Sequence, residues 1–204
     1  TPARLSGRAF ALRPMTSPAH RTLVVLALAA ALLVAGCGER KGMIADLVGE
    51  PVRLNPIEID PPHHHGYRRI LNPFFTPKAI NAIGDSVRQA CIELIGKFEA
   101  DGGCEFVSQF AIPFPSYVFL DLMGMPREKV GQFIDWEDRI MRSPDFMDRA
   151  KAAREVYEYL KAHKDRQRDA PSNEFLAGLM AGEVDGRPLN HLELMGMYYV
   201  LYVG

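Results

Sequence analysis

His64 and Arg68 lie in the run Asp60-Pro61-Pro62-His63-His64-His65-Gly66-Tyr67-Arg68-Arg69. Their spacing of four sets an imidazole and a guanidinium on one face of any helix formed there. Together they can bind an anion, and the planar fork of arginine matches a carboxylate and stays charged at every ordinary pH. Asp60 is a good N-cap and Pro61 suits a first helical position, so the run predicts a helix starting at Asp60. The triple histidine invites a metal site, since imidazole ligates zinc, copper and nickel. Successive helical residues diverge by about 100°, however, so His63, His64 and His65 cannot converge on one ion without unwinding the turn. An exposed helix face carrying ordinary solvated side chains is the plain alternative for His64 and Arg68.

The elements that must position this pair are mostly helical. After Thr76-Pro77, apolar residues at Ile80, Ile83, Val87, Cys91, Leu94 and Phe98 alternate steps of three and four, predicting one helix of about six turns with those residues buried. Asp101-Gly102-Gly103 ends it, and Cys104-Glu105-Phe106-Val107 reads as a short strand. A helix over 116–123 follows, closed by Gly124-Met125-Pro126, and another over 128–142, ended by Ser143-Pro144. Residues 148–168 are highly charged around a narrow stripe of Ala150, Ala153, Val156, Tyr157 and Leu160, the pattern of a surface helix. A short helix over 174–180 leads to Asp185-Gly186, a tight-turn pair, and Asn190 with Glu193 makes a capping box. The stretch 192–203 is apolar nearly all round, as in a helix inside a protein, which reads as a chain cut within its core.

Composition bounds the function. Charge is nearly balanced, at −1 overall, and 48% of residues are hydrophobic, so the chain has core-forming capacity and no basic surplus for nucleic acid. The three cysteines, Cys37, Cys91 and Cys104, show no paired spacing, which argues against a disulfide framework or a structural zinc. Residues 1–42 differ from the rest: Arg4, Arg8, Arg13 and Arg21 precede an apolar run over 23–35 of signal-peptide length, ending in Val34-Ala35-Gly36-Cys37. That ending resembles a bacterial lipoprotein box with Cys37 as the lipidation candidate, and Met15 could start such a signal; a chance Ala/Leu helix is the alternative. The organisation expected is a signal-like segment over 1–42, a connector over 43–59 and a helical body over 60–204.

Several further pieces lie in register. Asp60-Pro61-Pro62-His63-His64 with Arg68, Phe75-Thr76-Pro77, Phe110-Ala111-Ile112-Pro113, Leu122-Met123-Gly124-Met125-Pro126 and Val184-Asp185-Gly186-Arg187-Pro188-Leu189 resemble the middle of a bacterial cytochrome P450 of the camphor-hydroxylase-like class. Leu201-Tyr202-Val203-Gly204 resembles the approach to the oxygen-binding groove of that family's long central helix, with Gly204 at its edge. The resemblance covers residues 49–204 and implies a mainly α fold with minor β. It also implies haem as cofactor, with His64 and Arg68 donating to its propionates.

The activity implied is a monooxygenase inserting one oxygen atom from dioxygen into a small hydrophobic substrate, supplied with electrons by a ferredoxin or flavodoxin-type partner. His65 and Arg69 belong either to the docking surface for that partner or to an ordinary solvated face. Phe133, Trp136 and Met141 are expected in core or lid packing. No cysteine stands in a ligand loop for the haem iron, so these residues resemble an internal fragment, inactive alone and cytoplasmic. The competing reading is a non-enzymatic, membrane-anchored lipoprotein or binding module at the cell envelope, attached through Cys37.

Overall fold

The computed structural model describes Gly42 and residues 44–203. Cys37, the apolar run and Gly204 lie outside the described residues. Nine α-helices and one β-hairpin occur among those described: α1 (Ala45–Val48), α2 (His64–Leu71), α3 (Pro77–Ala82), α4 (Gly84–Gly96), α5 (Pro113–Leu122), α6 (Val130–Arg142), α7 (Phe146–Gln167), α8 (Glu174–Met180), β1 (Glu183–Val184), β2 (Arg187–Pro188) and α9 (His191–Val203). The fold is therefore mainly α with minor β.

The strongest local signals give the predicted elements. Asn173 caps α8 through Leu176 N–H at 2.9 Å, fixing its start. In the capping box, Glu193 N–H donates to Asn190 Oδ1 at 2.9 Å and Asn190 N–H to Glu193 Oε2 at 2.8 Å. β1 and β2 pair antiparallel in the register Val184 opposite Arg187. Asp185 and Gly186 form their two-residue connection with φ of 54° and 75°, whose backbone twist suits a hairpin.

Four expectations are corrected. The first helix starts at His64 rather than Asp60, after a turn over 61–63. A residue before proline is driven out of the helical region, which Pro61 does to Asp60 and Pro62 does to Pro61. The predicted six-turn helix is two helices, broken at Ile83 where φ is −90° and ψ is 0°. Its buried residues are Ala90 and Leu94, while Ile80 is 44% exposed.

No strand forms at Cys104. Residues Val107–Ala111 make a turn of π-helix, because Glu105 gathers the backbone N–H and hydroxyl of Ser108 at 2.7 and 2.6 Å, and Gln109 Oε1 accepts from Glu105 N–H at 2.6 Å. Side-chain bonds of this kind out-compete the extended ladder.

Lastly, α7 is the centre of the body rather than a surface helix. Ala152, Ala153, Val156, Tyr157 and Leu160 are fully buried, and α7 packs against α1, α6, α8 and α9. Its stripe is narrow because the alanines let neighbouring helices come close, not because little is covered. The core gathered around it includes Phe133, Trp136, Leu176, Met195 and Tyr198, with Ile44, Val48, Val52 and Leu54 from the stretch before Asp60. That stretch threads tightly: a Cβ on Gly196 of α9 would sit 1.9 Å from the Arg53 carbonyl oxygen. A smaller cluster of Ala90, Leu94 and Tyr117 joins α4 to α5. Met141 is 74% exposed, unlike Phe133 and Trp136.

Candidate site on the first long helix

Helix α2 is amphipathic, and its buried face fixes which way the cationic face points. Gly66, Tyr67 and Leu71 are buried, with Ile70 half-buried beside them. At about 100° per residue, His65 and Arg69 fall opposite that face, while His64 and Arg68 lie together along its flank, His64 about 20° from Leu71. Gly66 is required there. A Cβ at that position would lie 2.9 Å from Val184 Cγ1, so glycine lets the hairpin rest directly on the helix.

Tyr67 makes the polar half of the joint. Its hydroxyl donates to Glu193 Oε1 at 2.8 Å, and the Arg187 guanidinium grips both oxygens of the same carboxylate at 2.6 and 2.8 Å. These charge-assisted bonds from Arg187, with the Asn190 N–H and the Tyr67 hydroxyl adding to them, bring the Glu193 carboxyl down to about 2. Burial, reinforced by the carboxylate it faces, pushes the Tyr67 phenol up to about 12, so Tyr67 stays a donor. A further tie joins His63 Nδ1 to Asp185 Oδ2 at 3.0 Å.

The exposed face is differently placed. His64, in the first turn of α2, is half-buried, and Arg68, in the last turn, is exposed. The His64 ring meets His65 edge-on at 5.7 Å. Neither His64 nor Arg68 is hydrogen-bonded or ion-paired through its side chain to another described residue, whereas Arg127, Arg139 and Arg187 each hold carboxylates. Of the three neighbouring histidines, His63 is turned to Asp185 while the His64 and His65 rings meet each other. His64 and Arg68 are thus two nitrogen donors on one flank of a pinned helix with no carboxylate bound to them among the described residues, an arrangement that fits the two carboxylates of a haem.

Spacing sets His64 and Arg68 together on one helix, and their expected role comes from the family resemblance. The residues that hold their helix in place, Gly66, Tyr67, Arg187 and Glu193, had no such signal beyond the capping box. Cys91 is half-buried on α4 and Cys104 is exposed in the turn before the π-helix. A second feature is an open cleft of about 710 Å³ between α6 and α7, walled by Trp136, Met147 and Tyr159 with Gln132, Arg154 and Glu155 at its rim. Trp136 Nε1 donates to Glu155 Oε2 at 2.8 Å, and Arg139 crosses between the helices to Glu155 and Asp148. Among the described residues no helix is long and apolar enough to cross a membrane.

No model of a known protein family matches the chain. Individual relatives do. Cytochrome P450-SOY of Streptomyces griseus is 31% identical over 152 residues, 74% of this chain and 37% of its own length. Pentalenic acid synthase of Streptomyces avermitilis is 30% identical, over 74% of this chain and 38% of its own. Among solved structures, CYP101J2 superposes with a TM-score of 0.64 at 29% identity, covering 74% of this chain and 37% of that one. The LnmA cytochrome P450 hydroxylase of the leinamycin biosynthetic pathway of Streptomyces atroolivaceus gives 0.66 at 27% identity, covering 72% and 39%. The chain thus spans less than two-fifths of the length of these relatives. Sequence and fold agree over the same share of the chain, which belongs to the bacterial cytochrome P450 family as a part of its domain.

Proposed function

We propose that this chain is the part of a haem-dependent monooxygenase that grips the haem propionates, His64 and Arg68 being the donors. The observation that carries this reading is the orientation of α2. Gly66, Tyr67 and Leu71 anchor one face, and the two donors lie together along its flank without a side-chain acceptor among the described residues. Arg68 would hold a carboxylate through parallel charge-assisted bonds, and His64 would donate from a ring nitrogen half-shielded from water. The tie of Tyr67 and Arg187 to Glu193 keeps both donors in position.

When bound, haem supplies the redox chemistry that activates dioxygen. The chain's own contribution is orientation and exclusion of water. The aromatic cleft between α6 and α7 would cover a small hydrophobic substrate, and the cationic face carrying His65 and Arg69 would meet an acidic ferredoxin or flavodoxin in the cytoplasm. The parent enzyme would insert one oxygen atom into its substrate, while the 204 residues alone are expected to give no turnover.

The test is an absorbance titration of this chain with haem and with haem dimethyl ester, whose propionates are blocked. Haem is expected to bind more tightly. Arg68→Ala and His64→Ala are each expected to weaken haem about ten-fold, the scale of one lost charge-assisted bond, and to leave the ester unchanged. Equal affinity for the two ligands would overturn the assignment. In the same sample, the reduced, carbon-monoxide-bound spectrum is expected to lack a thiolate-type Soret band. Its appearance would show that the iron ligand is present in this stretch.

A further inference from the structure

The start of α9 is fastened to α7 through a buried cation. Lys164 is only 2% exposed, and its ammonium donates to Asp165 Oδ1 at 2.8 Å and to His191 Nδ1 at 2.9 Å. A lysine has donors only, so Nδ1 must be an acceptor and the His191 ring must be neutral with its proton on Nε2. That Nε2 lies 4.0 Å from Glu50 Oε2. Glu50, in turn, accepts from the Tyr157 hydroxyl at 2.8 Å and from Lys161 at 3.2 Å.

The charged groups facing His191 are therefore Lys161, Lys164 and Asp165 from α7, with Arg168 bound to Asp165 at 2.7 Å, and Glu50 from the segment after α1. Glu193, on α9 itself, is already held by Arg187 and Tyr67. His191 is also the first residue of α9, where the exposed backbone N–H groups disfavour a cation. Burial and the neighbouring Lys164 ammonium both hold the ring's proton affinity below its usual range.

We propose that His191 is an acid-sensitive fastening. Protonation of Nδ1 removes the acceptor of the Lys164 bond and leaves two cations 2.9 Å apart, so the first turn of α9 loosens from α7. The sign follows from linkage. A ring that resists protonation in the folded state contributes stability above the unfolded histidine range, and that contribution is lost as the pH falls through the lower folded value. The released end is the one that carries Glu193, the residue on which α2 is pinned.

Amide hydrogen exchange tests this on the chain as it is. Between about pH 7.5 and about pH 5.5, after correction for intrinsic rates, the first turn of α9 is expected to lose protection roughly ten-fold, the scale of one unit of linked protonation. His191→Gln keeps an acceptor but cannot titrate, so it is expected to abolish the pH step. A step that survives in His191→Gln, as would arise from the buried His163 instead, overturns the proposal. Should that variant not fold, the wild-type imidazole resonances decide. His191 is expected to titrate below the ordinary histidine value of about 6.5, and titration at or above that value overturns the proposal equally.

Discussion

Tyr67 and Glu193, 126 residues apart in the chain, meet in a hydrogen bond of 2.8 Å that couples α2 to α9. The carboxylate at its centre also holds Arg187, which brings its proton affinity down to about 2. A depressed carboxyl contributes stability above the unfolded value of about 4.3, lost progressively as the pH falls towards 2. After allowance for solvent around the exposed guanidinium, roughly 1–2 kcal/mol is expected for Glu193. Denaturant melts should therefore show Glu193→Gln less stable than wild type at neutral pH, with the difference narrowing below about pH 4.3 and closing only towards pH 2. A gap that is constant with pH would mean that packing, and not charge, makes the joint.

Gly66 sits where any side chain would strike Val184, 2.9 Å from the position of a Cβ. Gly66→Ala is expected to destabilise by about 1–3 kcal/mol through overpacking, despite the better helix propensity of alanine. Thermal unfolding measures it. Adding Val184→Ala should recover part of that loss, because the two sites are in contact and their effects do not add.

Much of this architecture was legible because its signals are local. The Asp-Gly turn, the Asn190 to Glu193 capping box and α8 depend on residues within a few positions of one another. That His64 and Arg68 stand together on α2 follows equally from a spacing of four. The start of α2 lies at His64 and not at Asp60, because each of the two prolines drives the residue before it out of the helical region. At Glu105, apolar neighbours read as strand lost to side-chain hydrogen bonds that close a helical turn. Periodicity found Leu94 of α4, which is buried, but not Ala90, which is fully buried against α5, while Ile80 of the expected face lies on α3 and is 44% exposed. The pinning of α2 could not be read at all, since it joins Tyr67 to a residue more than a hundred positions away.

The last helix carries buried polar groups that gain nothing internally. The hydroxyls of Tyr198, Tyr199 and Tyr202 are buried without a partner among the described residues, and burial pushes all three phenols up. An unsatisfied buried hydroxyl costs about 1–3 kcal/mol. Tyr198→Phe and Tyr199→Phe keep the ring and remove the stranded oxygen, so each is expected to leave stability unchanged or raise it by about 1 kcal/mol. Calorimetric unfolding decides; a loss above about 1 kcal/mol in either variant would reveal a partner for that hydroxyl.

Arg127 is the polar hinge of the smaller cluster. It grips Asp121 in a bidentate pair, Nε to Oδ1 at 2.7 Å and Nη2 to Oδ2 at 2.5 Å, and reaches Glu93 on α4 at 2.8 Å. Ser86 Oγ donates to the same Asp121 carboxylate at 2.5 Å, and the guanidinium lies 5.7 Å from the centre of the Tyr117 ring. The Arg127 fork holds the Asp121 carboxyl below the usual carboxylate range. Its stabilising effect is therefore complete above the unfolded aspartate value and fades as acid protonates the pair. Arg127→Lys keeps the charge but loses the fork, so it is expected to recover only part of the stability lost in Arg127→Ala. Because Glu93 and Asp121 lie on different helices, the loss should appear first as faster amide exchange in α4, with α7 unchanged. Uniform loss of protection across both helices would instead place Arg127 in the global folding unit.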